Sequence, residues 1–355
     1  MIVANECAGH ACRCRGPVPS SEAIGVVLRS SSPVVRSKLA KAFQPAEAGE
    51  GVFKIVGPDW CDQLTAFYAA ISPMEQPTVR AATINAAGYA DPWQAIPLGR
   101  LLERMRTRWF PSLLNENRLR AYLQPILNLK TERVAAFESL VRAEECDRVR
   151  SGGEIIEAAR AHDALFQFDQ KAREIALRQG ALQLAPGEKL FINFCPTVIY
   201  DPDICLRNTW KIADELGIDL SQVVFEVVES ERFPRLEHLR KILDAYRDRG
   251  AQVALDDLGA GHTAIKYIDE LRPDIVKLDR ELLPHEEHAA DIGLLDGFVG
   301  YARSRGVKVV IEGIETATQY RIAKHVGVDY GQGYFIGRPA PVASRKIFNE
   351  LAVAS

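Results

Sequence analysis

At 355 residues the chain exceeds one average domain, and it is 47% apolar and 26% charged with a net charge of −3, so a large barrel plus a small extra domain would fit it. So weak a charge gives no case for a polymeric nucleic acid or a membrane surface as partner, and no uninterrupted apolar run approaches the ~20 residues that span a bilayer. The start "MIVANECAGH" lacks the blocks of a secretory signal, and seven scattered cysteines argue against a disulfide framework, so a cytoplasmic location is expected.

Residues 1–20, "MIVANECAGHACRCRGPVPS", form a leader without helical or strand period. Cys7, His10, Cys12 and Cys14 crowd together there and could bind a metal through thiolates. The competing reading is an irregular leader with free thiols, because ligands this close do not easily make one tetrahedral site. Residues 21–115 alternate "AIGVVLR", "GVFKIVG" and "TVRAATIN", which read as strands, with "SPVVRSKLAKAF", "DWCDQLTAFYAAI" and "IPLGRLLERMRTRWF", which read as helices. A small α/β domain with helices packed on a sheet is expected, in a regulatory or dimerising role. It holds no catalytic motif, and Trp60 and Cys61 read as packing residues.

Residues 116–355 carry strand-like runs in regular succession: "AYLQPILNL", "RVAAFESLVR", "KLFINF", "QVVFEVV", "QVALDD", "DIVKLD", "VKVVIEG" and "VDYGQGYFI". Helical stretches such as "FQFDQKAREIALRQGA", "PRLEHLRKILDAYRDRG" and "HAADIGLLDGFVGYARSRG" lie between them, which implies parallel βα units. The count and size match a (β/α)8 barrel. Only "KTE" joins the first two strands, too short for a parallel crossover, so one antiparallel strand is expected. An open doubly wound sheet would show a Gly-rich phosphate turn after its first strand, and none is there.

Chemistry gathers at the strand ends. In "VALDDLGAG" an apolar strand ends in two adjacent carboxylates, Asp256 and Asp257, which repel unless something positive offsets them. Taken alone they read as an ordinary polar turn. The other strands repeat the pattern: Glu138, Leu140 and Arg142 share one face of "FESLVR". "FINF" brings Asn193, "VVFEVVE" Glu226 and Glu229, "IVKLD" Lys277 and Asp279, "VVIEGIE" Glu312 and Glu315, and "GQGY" Gln332. In a parallel barrel these ends converge on one site. Burying Glu138, Glu226, Asp256, Asp257 and Glu312 together is costly without compensation. One lysine and one arginine cannot neutralise them, so bound divalent metal is expected, and oxygen donors favour Mg²⁺ or Mn²⁺ over zinc.

These residues resemble the EAL-domain phosphodiesterases that hydrolyse the bacterial messenger cyclic di-GMP. "ESLVR" looks like the name-giving Glu-x-Leu-x-Arg motif, and "YLQPI", "FINF", "FEVVES", "DDLGAGHTAI", "VKLDR", "IEGIET" and "QGYFIGRP" follow in family order. The resemblance implies a (β/α)8 TIM-like barrel with one antiparallel strand and two metals held by Glu138, Asn193, Glu226, Asp256 and Asp257. It implies catalytic roles for Lys277, which would orient or deprotonate the attacking water, and for Glu312 and Gln332. Substrate would meet Arg142, Leu140, Asp279 and Gln332, while Glu229 and Glu315 would hold active-site loops. It further implies pGpG as product and a homodimer. Ser139, Val228, Leu258 and Ala264 depart from the usual motif residues without removing a ligand or Lys277. His262 reads as a packing or solvent residue. The alternatives are a catalytically silent cyclic di-GMP receptor module, whose sequence would lack several ligands, and an unrelated metal-dependent barrel hydrolase. No cyclase motif is present.

Overall fold

The computed structural model describes residues 23–46, 51–144, 148–228, 236–259, 262–283 and 289–346. The Cys7, His10, Cys12 and Cys14 leader and Glu229 lie outside them, as does the side chain of His262. The chain divides into two units: Met1–Glu116 with Gly153–Leu165, and Asn117–Gly152 with Phe166–Ser355.

The first unit is a small α/β domain. Its strands β1 (Gly25–Ser30), β2 (Gln44–Pro45), β3 (Val52–Val56), β4 (Val79–Ile84) and β5 (Ile96–Pro97) form a sheet in the order β2-β3-β1-β4-β5, with every pairing antiparallel. Val26 and Leu28 on β1 share one face, as strand alternation requires. They pack with Val35 and Leu39 of helix Pro33–Ala42, Leu64 and Phe67 of helix Trp60–Ala70, and Leu98 and Leu101 of helix Leu98–Arg106. Trp60 is buried in this cluster and Cys61 packs against it, as expected of packing residues. The single closing helix read from the sequence is two, because Leu98–Arg106 ends at Thr107 and a second helix, Phe110–Asn115, restarts with a proline in its first turn.

The second unit is a closed barrel. Its strands are β6 (Leu119–Asn128), β7 (Arg133–Glu144), β9 (Lys189–Phe194), β10 (Val223–Val228), β11 (Gln252–Leu258), β12 (Ile275–Leu278), β13 (Lys308–Ile311) and β14 (Tyr330–Gln332), with a short outer strand β8 (Val149–Arg150) on β7. From β7 and β9 round to β14 neighbours run parallel, and β6 closes the ring antiparallel to both β7 and β14. Alternation gives each strand two faces. Val223, Phe225 and Val227 of β10 join the large outer core with Leu239, Ile242 and Leu243 of helix Leu236–Arg247. The inward faces make an apolar layer of Ile126, Ala136, Phe191, Val224, Ala254, Ile275 and Val310, with Tyr330 against it.

Candidate metal centre

Two residues beyond that layer the barrel interior turns polar. Ala136 leads to Glu138, Phe191 to Asn193, Val224 to Glu226, Ala254 to Asp256, Ile275 to Lys277, Val310 to Glu312 and Tyr330 to Gln332. Side chains two apart share a face, so each polar group stands over the apolar residue of its own strand. β6 runs the other way, and its polar residue therefore precedes its apolar one: Gln124 lies two before Ile126 and is paired with Glu138.

Lys277, only 1% exposed, is the hub of this layer. Its Nζ lies 2.7 Å from Glu312 Oε1, 3.0 Å from Asp256 Oδ1, 3.1 Å from Glu226 Oε2 and 3.3 Å from Glu138 Oε2. Asn193 donates through Nδ2 to Glu138 Oε1 at 2.9 Å and to Glu226 Oε1 at 2.7 Å, so that only its carbonyl oxygen could serve a cation. Gln332 Nε2 donates to Glu138 Oε2 at 2.7 Å and to Gln124 Oε1 at 3.3 Å. Gly333, at φ +156°, lets the chain after Gln332 close on Ile314, since a Cβ there would lie 2.2 Å from the Ile314 carbonyl oxygen.

Asp257 escapes the alternation that would turn it away from Asp256. The pairing of β11 with β12 slips between Leu255 and Leu258, and Asp257 takes φ 56°. Aspartate tolerates this left-handed region better than most residues. The slip is a bulge, a device that re-aims side chains next to functional sites. Oxygens of Asp256, Asp257 and Glu312 consequently lie within 4.8 Å of one another.

The charges do not balance. Among the described residues, Lys277 is the one cation whose ammonium faces the carboxylates of Glu138, Glu226, Asp256 and Glu312. Loss of water, then mutual repulsion, pushes Glu226 well above the usual carboxylate range and raises Asp256, despite the pull of Lys277. The same causes lift Asp257 to about 6 and Glu312 to about 8. Burial alone would lower Lys277, but Asp256, Glu138, Glu226 and Glu312 hold it well above the ordinary ammonium value. Although the ammonium is close, Glu226 Oε2 and Asp256 Oδ1 are buried without an aligned hydrogen bond. Buried carboxylate oxygens that share a single ammonium fit a hard divalent cation as the further counter-charge.

Of the remaining expected residues, Leu140 and Arg142 continue the Glu138 face of β7 and are half-buried. Arg142 Nη1 donates to the Val141 carbonyl at 2.9 Å, and burial lowers its pKa against the field of Glu138. Asp279 caps the turn after β12, accepting from Glu281 N at 2.7 Å, and its charge reaches Asp257. Glu315 is exposed, with its backbone N–H donating to Gln319 Oε1 at 2.9 Å. Leu258 and Ala264 are buried in the outer core.

Two residues of the site were not picked out from the sequence. Gln124 was legible only from the reversed direction of β6, which puts the site at that strand's first half. Asp169, buried on helix Leu165–Ile175, accepts from Cys195 N at 2.8 Å and from Arg173 Nη1 at 2.5 Å, and so holds the turn two residues beyond Asn193. No local pattern separates it from an ordinary helix-surface aspartate.

The EAL domain profile matches residues 107–339 of the chain. The chain is 27% identical over 239 residues to the cyclic di-GMP phosphodiesterase PdeB of Shewanella oneidensis, which covers 65% of this chain and 28% of that protein. It is 26% identical over 240 residues to the cyclic di-GMP phosphodiesterase NbdA of Pseudomonas aeruginosa, covering 66% of this chain and 30% of that protein. The chain thus spans about three-tenths of the length of these curated relatives. A standalone versatile EAL protein from Vibrio cholerae, solved in a c-di-GMP-bound form, superposes with a TM-score of 0.57 at 27% identity, over 62% of this chain and 92% of that one. The FimX EAL domain of Xanthomonas citri shares the fold, with a TM-score of 0.63 at 20% identity over 69% of this chain and 98% of that one.

Proposed function

The chain belongs to the EAL domain family, and from that premise we propose that its barrel hydrolyses cyclic di-GMP to linear pGpG. The observation that carries the reading is the buried cluster in which one ammonium faces four carboxylates at 2.7 to 3.3 Å, with two of their oxygens unpartnered by any aligned hydrogen bond. Glu138, Asn193, Glu226, Asp256 and Asp257 would hold two Mg²⁺ or Mn²⁺ ions, with Glu312 completing the set directly or through water. Bound there, the cations would supply activation of the attacking water and charge stabilisation of the leaving 3′-oxygen.

The chain's own groups do the rest. Lys277, whose ammonium lies against Glu138, Glu226, Asp256 and Glu312, donates hydrogen bonds and orients the attacking water. Arg142, on the Glu138 face of β7, meets a phosphate oxygen with its guanidinium fork. Gln332 holds Glu138 in place at 2.7 Å, and its own Oε1 is free to take a hydrogen bond from water or substrate. In the net reaction, the hydroxyl of the water adds to phosphorus, the bond to the 3′-oxygen breaks, and the proton that the water gives up ends on that oxygen.

Incubating the full chain with cyclic di-GMP and Mn²⁺ or Mg²⁺ is expected to give pGpG on chromatography, and chelation is expected to stop it. Tight nucleotide binding without turnover would instead make the barrel a receptor. Cation affinity is a separate readout. Asp257 and Glu312 ionise only as pH rises through about 6 and about 8, and ligands must be deprotonated to bind. Mn²⁺ titrations by calorimetry are therefore expected to show affinity rising over that range. A flat profile would remove these two carboxylates from the metal set.

A further inference from the structure

Strand β9 stops one residue after Asn193. Its pairing with β7 ends at Ile192 and its pairing with β10 at Phe194. The Cys195 N–H therefore lies past both ladders and needs an acceptor of another kind. Asp169 supplies it from helix Leu165–Ile175, with Oδ1 2.8 Å from Cys195 N. The other carboxylate oxygen receives Arg173 Nη1 at 2.5 Å, and Arg173 Nε donates to Thr209 Oγ1 at 3.1 Å on helix Arg207–Leu216. Tyr246, on helix Leu236–Arg247, feels both charges. Asp169 is 4% exposed and Arg173 is fully buried. All of these residues belong to the second unit.

Stability alone does not call for such a pair. Apolar side chains of similar volume often replace a buried ion pair at no cost, and the barrel chemistry uses neither charge. What an apolar pair cannot do is accept the Cys195 N–H. The turn fixed by that bond follows Asn193, whose Nδ2 is shared between Glu138 at 2.9 Å and Glu226 at 2.7 Å. Reaching two partners at once depends on where the Asn193 backbone stands. Strand pairing sets that position from one side and the Asp169 bond from the other.

We propose that Asp169 is a positioning residue for the metal centre: through the Cys195 N–H it holds the Asn193 carboxamide where its oxygen meets the cation, and Arg173 holds Asp169. The assignment rests on the proposed cation site of the barrel. Groups that orient a metal ligand without touching the metal typically carry about 10–100-fold in affinity.

The test compares two double variants of the full chain, Asp169→Asn/Arg173→Met and Asp169→Leu/Arg173→Met. Both lose the guanidinium with its contacts to Thr209 and Tyr246, and neither strands a buried charge. They differ in one group, since Asn keeps an oxygen for Cys195 N and Leu has none. Mn²⁺ titration by calorimetry is expected to give the Asn variant wild-type affinity and the Leu variant an affinity weaker by at least about tenfold. A merely structural role would lower the melting temperature of the Leu variant in chelator, through its unsatisfied N–H, and leave the Mn²⁺ affinity alone. Equal affinity in the two variants overturns the proposal. If Leu at 169 prevents a cooperative melt, Asp169→Ala/Arg173→Met takes its place in the same comparison, with the same two outcomes. Wild type that binds no Mn²⁺ overturns the cation site itself, and the positioning role with it.

Discussion

Replacing Asp256 by Asn is expected to take turnover to background while leaving the fold intact. The side chains are nearly isosteric, so the packing around this buried position survives. What disappears is one negative charge and one of the three carboxylates, Asp256, Asp257 and Glu312, whose oxygens lie within 4.8 Å of one another. Cation affinity should fall by more than the ~10–100-fold that changes in outer supporting groups cost. In chelator the sign reverses, because the variant carries less repulsion than the wild type, and its melting temperature should be equal or higher. Retained Mn²⁺ binding together with retained pGpG formation would exclude Asp256 from the site.

Lys277→Met is expected to do the opposite to stability and the same to turnover. The ammonium is the counter-charge for Glu138, Glu226, Asp256 and Glu312. Breaking a buried ion pair from one side costs roughly 3–5 kcal/mol, because the partner is left uncompensated. Protonation of the raised carboxylates, Glu312 at about 8 among them, relieves part of that cost. A divalent cation should relieve more, so added Mn²⁺ is expected to raise the melting temperature further in the variant than in wild type. Turnover should drop by about 10²–10³-fold through loss of the donor proposed to orient the attacking water. Were the variant as stable as wild type in chelator and indifferent to Mn²⁺, the lysine would not be the charge that holds this cluster together.

The barrel and most of its polar layer were legible because both rest on short-range periodicity. A residue two along a strand shares its face, so "FESLVR" shows Glu138, Leu140 and Arg142 together without any knowledge of neighbours. Short apolar runs separated by helices imply parallel strands, and the three-residue link "KTE" implies the antiparallel one. An ordered series of motifs then points to one family.

Asp257 could not be placed in this way. Strict alternation turns it away from Asp256, and only the slip against β12 brings its carboxylate back. Gln124 depends on β6 closing the ring in reverse, the antiparallel order of the first sheet on pairings between distant segments, and Asp169 on a helix packing against the end of β9. By itself the sequence determined the eight barrel strands and the three longer strands of the first unit, which face of the barrel strands is polar, and which residue types supply the chemistry, since these follow from local periodicity and composition; the short strands β2, β5 and β8 were not legible, and Ile96–Pro97 reads as helix. Tertiary structure alone decided the bulge at Asp257, the counter-charge geometry around Lys277 and the hold of Asp169 on the turn after β9, because each is set by pairing and packing between segments far apart in the chain.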